Sequence, residues 1–295
     1  MKWLRLRLPG FSSRVQKDPA YVGCAQRGVR RAGPFGPARS FAFASLAALS
    51  VVSVPQEIQI GREANAAVRK ETPELHDAQV NAYVQRIGTR LARAAPGAKY
   101  PYSFHVANYR EINAFSLPGG PVWINRGVLR AAGNESQVAS VLAHEIAHIA
   151  RRHASDQMEK ALIARWGLGV LGAMLGNAGG AGAAQAAGAM VANGVFLKFS
   201  RDDEREADRV GLQIMTKAGW DGRGMTELFE VLRREATRDP DAVDVFFSTH
   251  PSPQDRIANL RGISVRARGG IRDSKEFRSV KARLARLAPA RAMQK

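Results

Sequence analysis

His144-Glu145-Ile146-Ala147-His148 places two imidazoles and a carboxylate at a spacing that suits metal-assisted hydrolysis. Residues four apart share one face of an α-helix, so His144 and His148 can meet a single ion. Glu145 lies beside them, where a carboxylate can take a proton from a water acidified by the metal. The competing reading is an exposed polar helix with a coincidental spacing. The flanking residues weigh against it, because Val138, Val141, Leu142, Ile149 and many alanines make the segment largely apolar. Such a helix is usually buried. Burying two histidines and a glutamate is costly unless something satisfies them, and a metal ion does so.

A catalytic zinc usually takes three protein ligands and a water, so a third ligand is expected on another element. Ser200-Arg201-Asp202-Asp203-Glu204-Arg205-Glu206-Ala207-Asp208 supplies a candidate. Ser200 has the character of an N-cap, Asp203 completes a capping box, and Gly219 is placed to end the helix. Glu204 and Asp208 are four apart and share a face. Glu204 could bind the metal while Asp208 accepts the N–H of a ligating imidazole and fixes its tautomer. The alternative is an acidic, solvated first turn that complements the helix dipole. Glu206 falls on a different face and is expected in solvent.

With these residues in view, the chain resembles the HtpX, BepA and Oma-type zinc metallopeptidases. The resemblance spans roughly residues 55 to 290. It is carried by the two motifs above, by Asn113-Ala114-Phe115-Ser116-Leu117-Pro118-Gly119-Gly120, and by Ser248-Thr249-His250-Pro251 with Arg256-Ile257. It implies a zincin-like fold with one Zn2+ per chain. His144, His148 and Glu204 would be metal ligands, and Asp208 would orient a ligand histidine. It also implies a role for His250, either as an extra zinc ligand in a resting state or as a group near the transition state. His250 or Arg256 could steady the oxyanion, and the residues do not choose between them. Other histidines have ordinary settings. His105 sits in an alternating strand pattern, His76 in a polar loop. His153 follows Arg151-Arg152 and lies five residues past His148, off the metal face.

The elements that must position these groups read as α+β, mainly helical. Pro55–Lys70 and Asp77–Arg93 have helical character, the second with Val80, Tyr83, Val84, Ile87 and Leu91 on one face. Short strands are expected near Tyr102–Ala107, Ala114–Leu117 and Pro121–Asn125, with turn chemistry at Gly119-Gly120. The metal helix follows, capped by Asn134 with Gln137. Leu162–Phe199 is Gly/Ala-rich and lies between the two halves of the site. It reads as a helical hairpin packed on the body, or as a mobile lid or membrane-dipping hairpin over the cleft. A helix near Gly224–Thr237 and a basic one over Ser274–Leu287 complete the body. By the resemblance, Ala114–Leu117 would be an edge strand that pairs with an extended substrate.

Charge is concentrated at the ends of a chain whose net charge is +18. Residues 1–54 hold 9 basic and 1 acidic side chains and residues 261–295 hold 11 and 2, leaving 24 and 23 between. A near-neutral body argues against a nucleic-acid partner, which would want a basic folded face. Basic ends can instead attract an anionic membrane surface. Ser40–Val54 is a 15-residue apolar and small-residue run of signal type, too short for a comfortable bilayer span. Arg30-Arg31 hints at a twin-arginine signal, while the Arg-rich, acid-poor start also suits mitochondrial import. Cys24 is the sole cysteine, which excludes an intrachain disulfide.

The domain expectation is therefore a targeting region at 1–54, a metallopeptidase domain at 55–290 with an insert at 162–199, and a basic tail at 291–295. The functional expectation is a zinc endopeptidase of the envelope, periplasmic or membrane-associated, acting on misfolded or unassembled proteins. A mitochondrial location is the alternative. The alternative function is a zinc-bearing, chaperone-like binding protein with vestigial activity.

Overall fold

In the computed structural model, residues 52–166, 199–250, 253–264 and 267–293 are described. The signal-like run up to Val51, Cys24 and most of Leu162–Phe199 lie outside these residues. Helix α1 spans Val54–Glu71, with Ser53 and Gln56 forming a capping box and Pro55 in its first turn. Helix α2 spans Ala78–Ala92 and is capped by Asp77; the five apolar residues anticipated on one face are all buried. Strands β1 (Ser103–Ala107), β2 (Ala114–Ser116) and β3 (Pro121–Asn125) form a sheet in the order β1-β3-β2. β1 runs parallel to β3 and β2 antiparallel to it. The central strand β3 is buried at every residue. β2 is therefore an edge strand. The β2–β3 turn uses Gly119 and Gly120 at φ 72° and 134°, a region that L side chains rarely adopt.

Short helix α3 (Arg126–Ala131) leads to α4 (Glu135–Ala150), in which all sixteen residues are buried. This is the central helix. Asn134 accepts from Gln137 N at 3.1 Å, while Gln137 Oε1 accepts from Gly133 N at 2.8 Å, one residue upstream of an ordinary capping box. After Arg151 and Arg152, α5 runs from His153 to Trp166. Helix α6 covers Arg201–Lys217, with the expected box between Ser200 and Asp203, and Gly219 follows at φ 93°. Helix α7 spans Arg223–Arg238, and a 3-10 turn at Pro240–Ala242 leads to α8 at Asp244–Thr249. Helices α9 (Pro253–Ser264) and α10 (Lys275–Arg286) follow.

One core joins α2, the sheet, α4, α6, α7 and α10. Burial of each large apolar side chain in it stabilises by about 1.5–3 kcal/mol relative to exposure. Helix α6 turns Glu204, Ala207, Asp208, Gly211 and Met215 toward this interior, the 3–4 residue rhythm of one face. Gly211 lets it lie close, because a Cβ there would stand 3.2 Å from Ala143 O and from His144 Cα. Phe277, Val280 and Leu284 of α10 are buried. Its apolar face is thus taken up by the body, and Lys281 donates to the carbonyl of Ala132 at 2.9 Å. Arg126, fully buried, donates to the carbonyls of Leu284 and Ala288 at 2.8 and 2.7 Å. Beyond that helix the chain remains docked: Arg291 pairs with Tyr109 in a parallel bridge, and Met293 N donates to Glu111 Oε2 at 3.0 Å. No helix among the described residues is long and apolar enough to cross a membrane.

Candidate metal centre

His144 and His148 leave one face of α4 together, as four-residue spacing requires, and their Nε2 atoms stand 3.0 Å apart. Helix α6 brings Glu204 against them. Its Oε1 is 3.4 Å from His148 Nε2 and its Oε2 is 3.5 Å from His144 Nε2. From the end of α8, His250 adds a fourth donor, with Nδ1 2.9 Å from Glu204 Oε1. One donor atom from each of these four residues lies within 4.8 Å of every other, and all four residues are buried. A tetrahedral ion with bonds of about 2.0–2.1 Å would hold its donors about 3.3 Å apart. Three nitrogens and a carboxylate also match the donor chemistry of zinc. The residues therefore fit the metal that the motif implies.

Unsatisfied polar atoms reinforce that fit. Glu145 Oε1 and Glu204 Oε2 are buried with no hydrogen bond. Arg256 Nη1 does approach Glu204 Oε2 at 2.5 Å, but without the alignment of a hydrogen bond. Glu204 Oε2 thus has a guanidinium beside it, whereas Glu145 Oε1 is buried without a hydrogen bond, which is costly unless a cation lies nearby. Burial alone would raise the Glu204 carboxyl. The imidazoles of His250, His144 and His148 instead hold it far below the usual carboxylate range.

The two histidines of α4 also have outer partners. Asp208 Oδ1 lies 3.1 Å from His144 Nδ1. Asp208 is itself gripped by Arg256 of α9, through Nε at 2.8 Å and Nη2 at 2.6 Å. The guanidinium rests on the Phe229 ring, 4.7 Å from its centroid. Burial would raise Asp208, but Arg256 and His144 hold it low. On the other side, His148 Nδ1 lies 3.0 Å from His153 Nδ1, and His153 Nε2 lies 3.2 Å from Glu206 Oε2.

The placement of His153 and Glu206 corrects the sequence reading. His153 is not remote from the site, because α4 ends at Ala150 and Arg152 takes φ 61°, so continuous-helix spacing no longer applies. Glu206, expected in solvent, is only partly exposed and also binds Arg151 Nε at 2.9 Å. Among the other histidines, His105 lies in β1 and stacks on Trp123, with ring centroids 4.7 Å apart, and His76 is exposed. One further contact was not assigned from the sequence, although the residue lies in a segment that carries the resemblance: Ser116 of β2 donates to Glu145 Oε2 at 3.0 Å. The edge strand thus ends on the carboxylate of the motif. A narrow, largely apolar recess opens beside His144 and Glu145, walled by Val141, Met225, Leu228, Phe229 and Phe246.

Comparison with known proteins bears on this site. The model of peptidase family M48 matches residues 78–264. The chain is similar to the beta-barrel assembly-enhancing protease of Escherichia coli (strain K12), at 33% identity over 241 residues. That alignment covers 79% of this chain and 49% of the relative. It is also similar to the mitochondrial metalloendopeptidase OMA1 of Schizosaccharomyces pombe, at 30% identity over 214 residues, covering 71% and 61%. OMA1 of Saccharomyces cerevisiae is 31% identical over 232 residues, covering 71% and 64%. The chain thus spans about half the length of the bacterial relative and under two thirds of the fungal ones.

Proposed function

The chain belongs to peptidase family M48, and on that premise we propose that it is a zinc endopeptidase that cleaves misfolded or unassembled proteins. The observation that carries this is the buried set His144, His148, Glu204 and His250 with the half-satisfied Glu145 carboxylate beside it. Zinc, when bound, supplies Lewis acidity that polarises a carbonyl and acidifies water.

The chain's own residues do the rest. Ser116 occupies Glu145 Oε2, so Oε1 is the oxygen left to take a proton from the attacking water and pass it to the leaving amine. His250 Nε2 is 3.5 Å from that same oxygen. His250 is therefore placed to act either as a fourth ligand at rest or as a donor to the developing oxyanion. Arg256 has most of its donors turned to Asp208 and Glu204, which makes His250 the better candidate for the oxyanion. Asp208 and Arg256 are positioning residues. Edge strand β2 would hold an extended substrate by backbone pairing, which reads conformation rather than sequence. The apolar recess beside His144 is narrow and would receive no more than a methyl-sized group.

The relatives are a bacterial protease named for β-barrel assembly and mitochondrial endopeptidases, so an envelope or a mitochondrial setting is supported. The signal-like run at Ser40–Val54 favours export to the periplasm and a membrane-associated enzyme. The test is cleavage of casein and of an unfolded protein by the full chain, with and without a chelator, followed by zinc re-addition. Cleavage that a chelator leaves untouched would overturn the reading. His250→Ala separates its two roles: raised basal cleavage marks a resting ligand, and a lowered kcat with zinc retained marks a transition-state group.

A further inference from the structure

The second imidazole of α4 is backed by a chain of two side chains that the proposed reaction does not use. We infer that His153 is a positioning residue for the metal, accepting the His148 Nδ1 proton and relaying the contact to Glu206. This rests on the proposed role of His148 as a ligand. For His148 Nε2 to offer a lone pair to a metal, the single proton of the neutral ring must sit on Nδ1. That nitrogen stands 3.0 Å from His153 Nδ1. Two protonated nitrogens cannot face each other at that distance, so His153 Nδ1 is bare and accepts. The His153 proton is then on Nε2, which faces the Glu206 carboxylate at 3.2 Å. One proton assignment satisfies all three groups, and it is the one that directs His148 Nε2 at the metal.

The surroundings fix the relay in place. Phe199 lies over the His148 ring with centroids 3.9 Å apart and a 25° interplanar angle, which bars the ring from turning. His153 is 3% exposed. Its carboxylate partner Glu206 is anchored by Arg151 at 2.9 Å and Arg209 at 3.3 Å. The backbone also commits to the arrangement. Arg152 is the one non-glycine residue at positive φ among the described residues, a conformation that costs about 1–2 kcal/mol. Arg152 Nε donates to buried Glu57 at 2.9 Å, which offsets that cost. The left-handed step folds the chain back under α4, so that a residue five positions after His148 reaches its outer nitrogen.

The experiment measures the zinc dissociation constant of the full chain by competition with a chromophoric chelator. His153→Phe keeps ring bulk and removes both nitrogens; it is expected to weaken zinc binding by about 10–100-fold, the range for an outer partner of a ligating histidine. His153→Gln restores an acceptor and is expected to recover most of that loss, which a purely space-filling role would not produce. Glu206→Gln is expected to weaken binding by less than His153→Phe. Cobalt-substituted protein gives a second readout, because a reoriented His148 shifts the visible absorption of the His153→Phe variant. Zinc binding by His153→Phe as tight as wild type overturns the inference. If that variant folds poorly, unchanged affinity in Glu206→Ala, which removes the acceptor, overturns the relay instead. His148→Ala is the control for the reading beneath. Should it too keep wild-type affinity, the ligand assignment fails; if only it loses zinc, the relay alone fails.

Discussion

His144 and His148 stand one turn apart and point at the same place, yet the two sides of the site hold them by different chemistry. His144 leans on Asp208, a buried carboxylate clamped by a buried guanidinium, and both partners come from distant segments. His148 leans on a neighbouring imidazole whose own partner, Glu206, reaches the surface. The electrostatic outcomes are opposite. Burial would lower His144, but its hydrogen bonds to Asp208 and Glu204 raise it to about 9. Burial carries His148 well below its ordinary value, and Glu204 does not reverse that. The same helix face therefore carries one imidazole backed by a carboxylate and one backed by another imidazole. The lesson is that a motif fixes where ligands point, while neighbouring elements decide what holds them there.

The largest expected effect breaks the charged side. Asp208→Ala leaves Arg256 buried with its main partner gone, and removal of one member of a buried pair typically destabilises by about 3–5 kcal/mol. Chemical denaturation should show that loss, and metal analysis should show depleted zinc. Glu206→Ala, on the partly exposed side, should change stability by no more than about 1 kcal/mol. Equal losses from the two variants would erase the contrast between the sides.

Next in size is Glu145→Gln, which touches neither outer partner. It should lower kcat by about 100-fold or more with stoichiometric zinc kept, since acid–base groups contribute at least that much. Retained cleavage would remove Glu145 as the base. Gly211→Ala tests the contact that brings α6 onto His144. The added methyl pushes at 3.2 Å against backbone, and overpacking of this kind costs about 1–3 kcal/mol. A melting temperature equal to wild type would show that the helices adjust freely. The smallest change is Ser116→Ala. It removes one hydrogen bond from Glu145, worth about 0.5–1.5 kcal/mol, and should lower kcat by roughly tenfold at most. A pH–rate profile identical to wild type, with unchanged kcat, would make that contact incidental.

Much of this was legible in the sequence because it depends on local rules. Caps at Asn134 and Ser200, a glycine after α6, and four-residue spacing in two helices put His144 with His148, and Glu204 with Asp208, on shared faces; spacing left the acidic pair open between a metal site and a solvated first turn, and the resemblance brought the two pairs to one site. The three strands were also legible from alternation and glycine turns. Their order was not, since pairing β1 with β3 and leaving β2 outside depends on contacts that no local pattern carries. His153 was misplaced for a related reason. Periodicity assumes an unbroken helix, and Arg151-Arg152 carries no glycine, asparagine or proline to announce the break. The Arg256 grip on Asp208 joins residues 48 apart, so its geometry too needed the fold.

The docked stretch after α10 has a mechanical side. Arg291 N donates to Asn108 O at 3.0 Å and its carbonyl accepts from Arg110 N at 2.8 Å, while Asn125 Nδ2 contacts Met293 Sδ at 3.6 Å. Residues 108–113 run directly into β2, the strand whose Ser116 touches Glu145. Tension applied at residue 291 would therefore pass through a short segment into the strand proposed to grip substrate, and would arrive within three residues of the base's hydrogen bond.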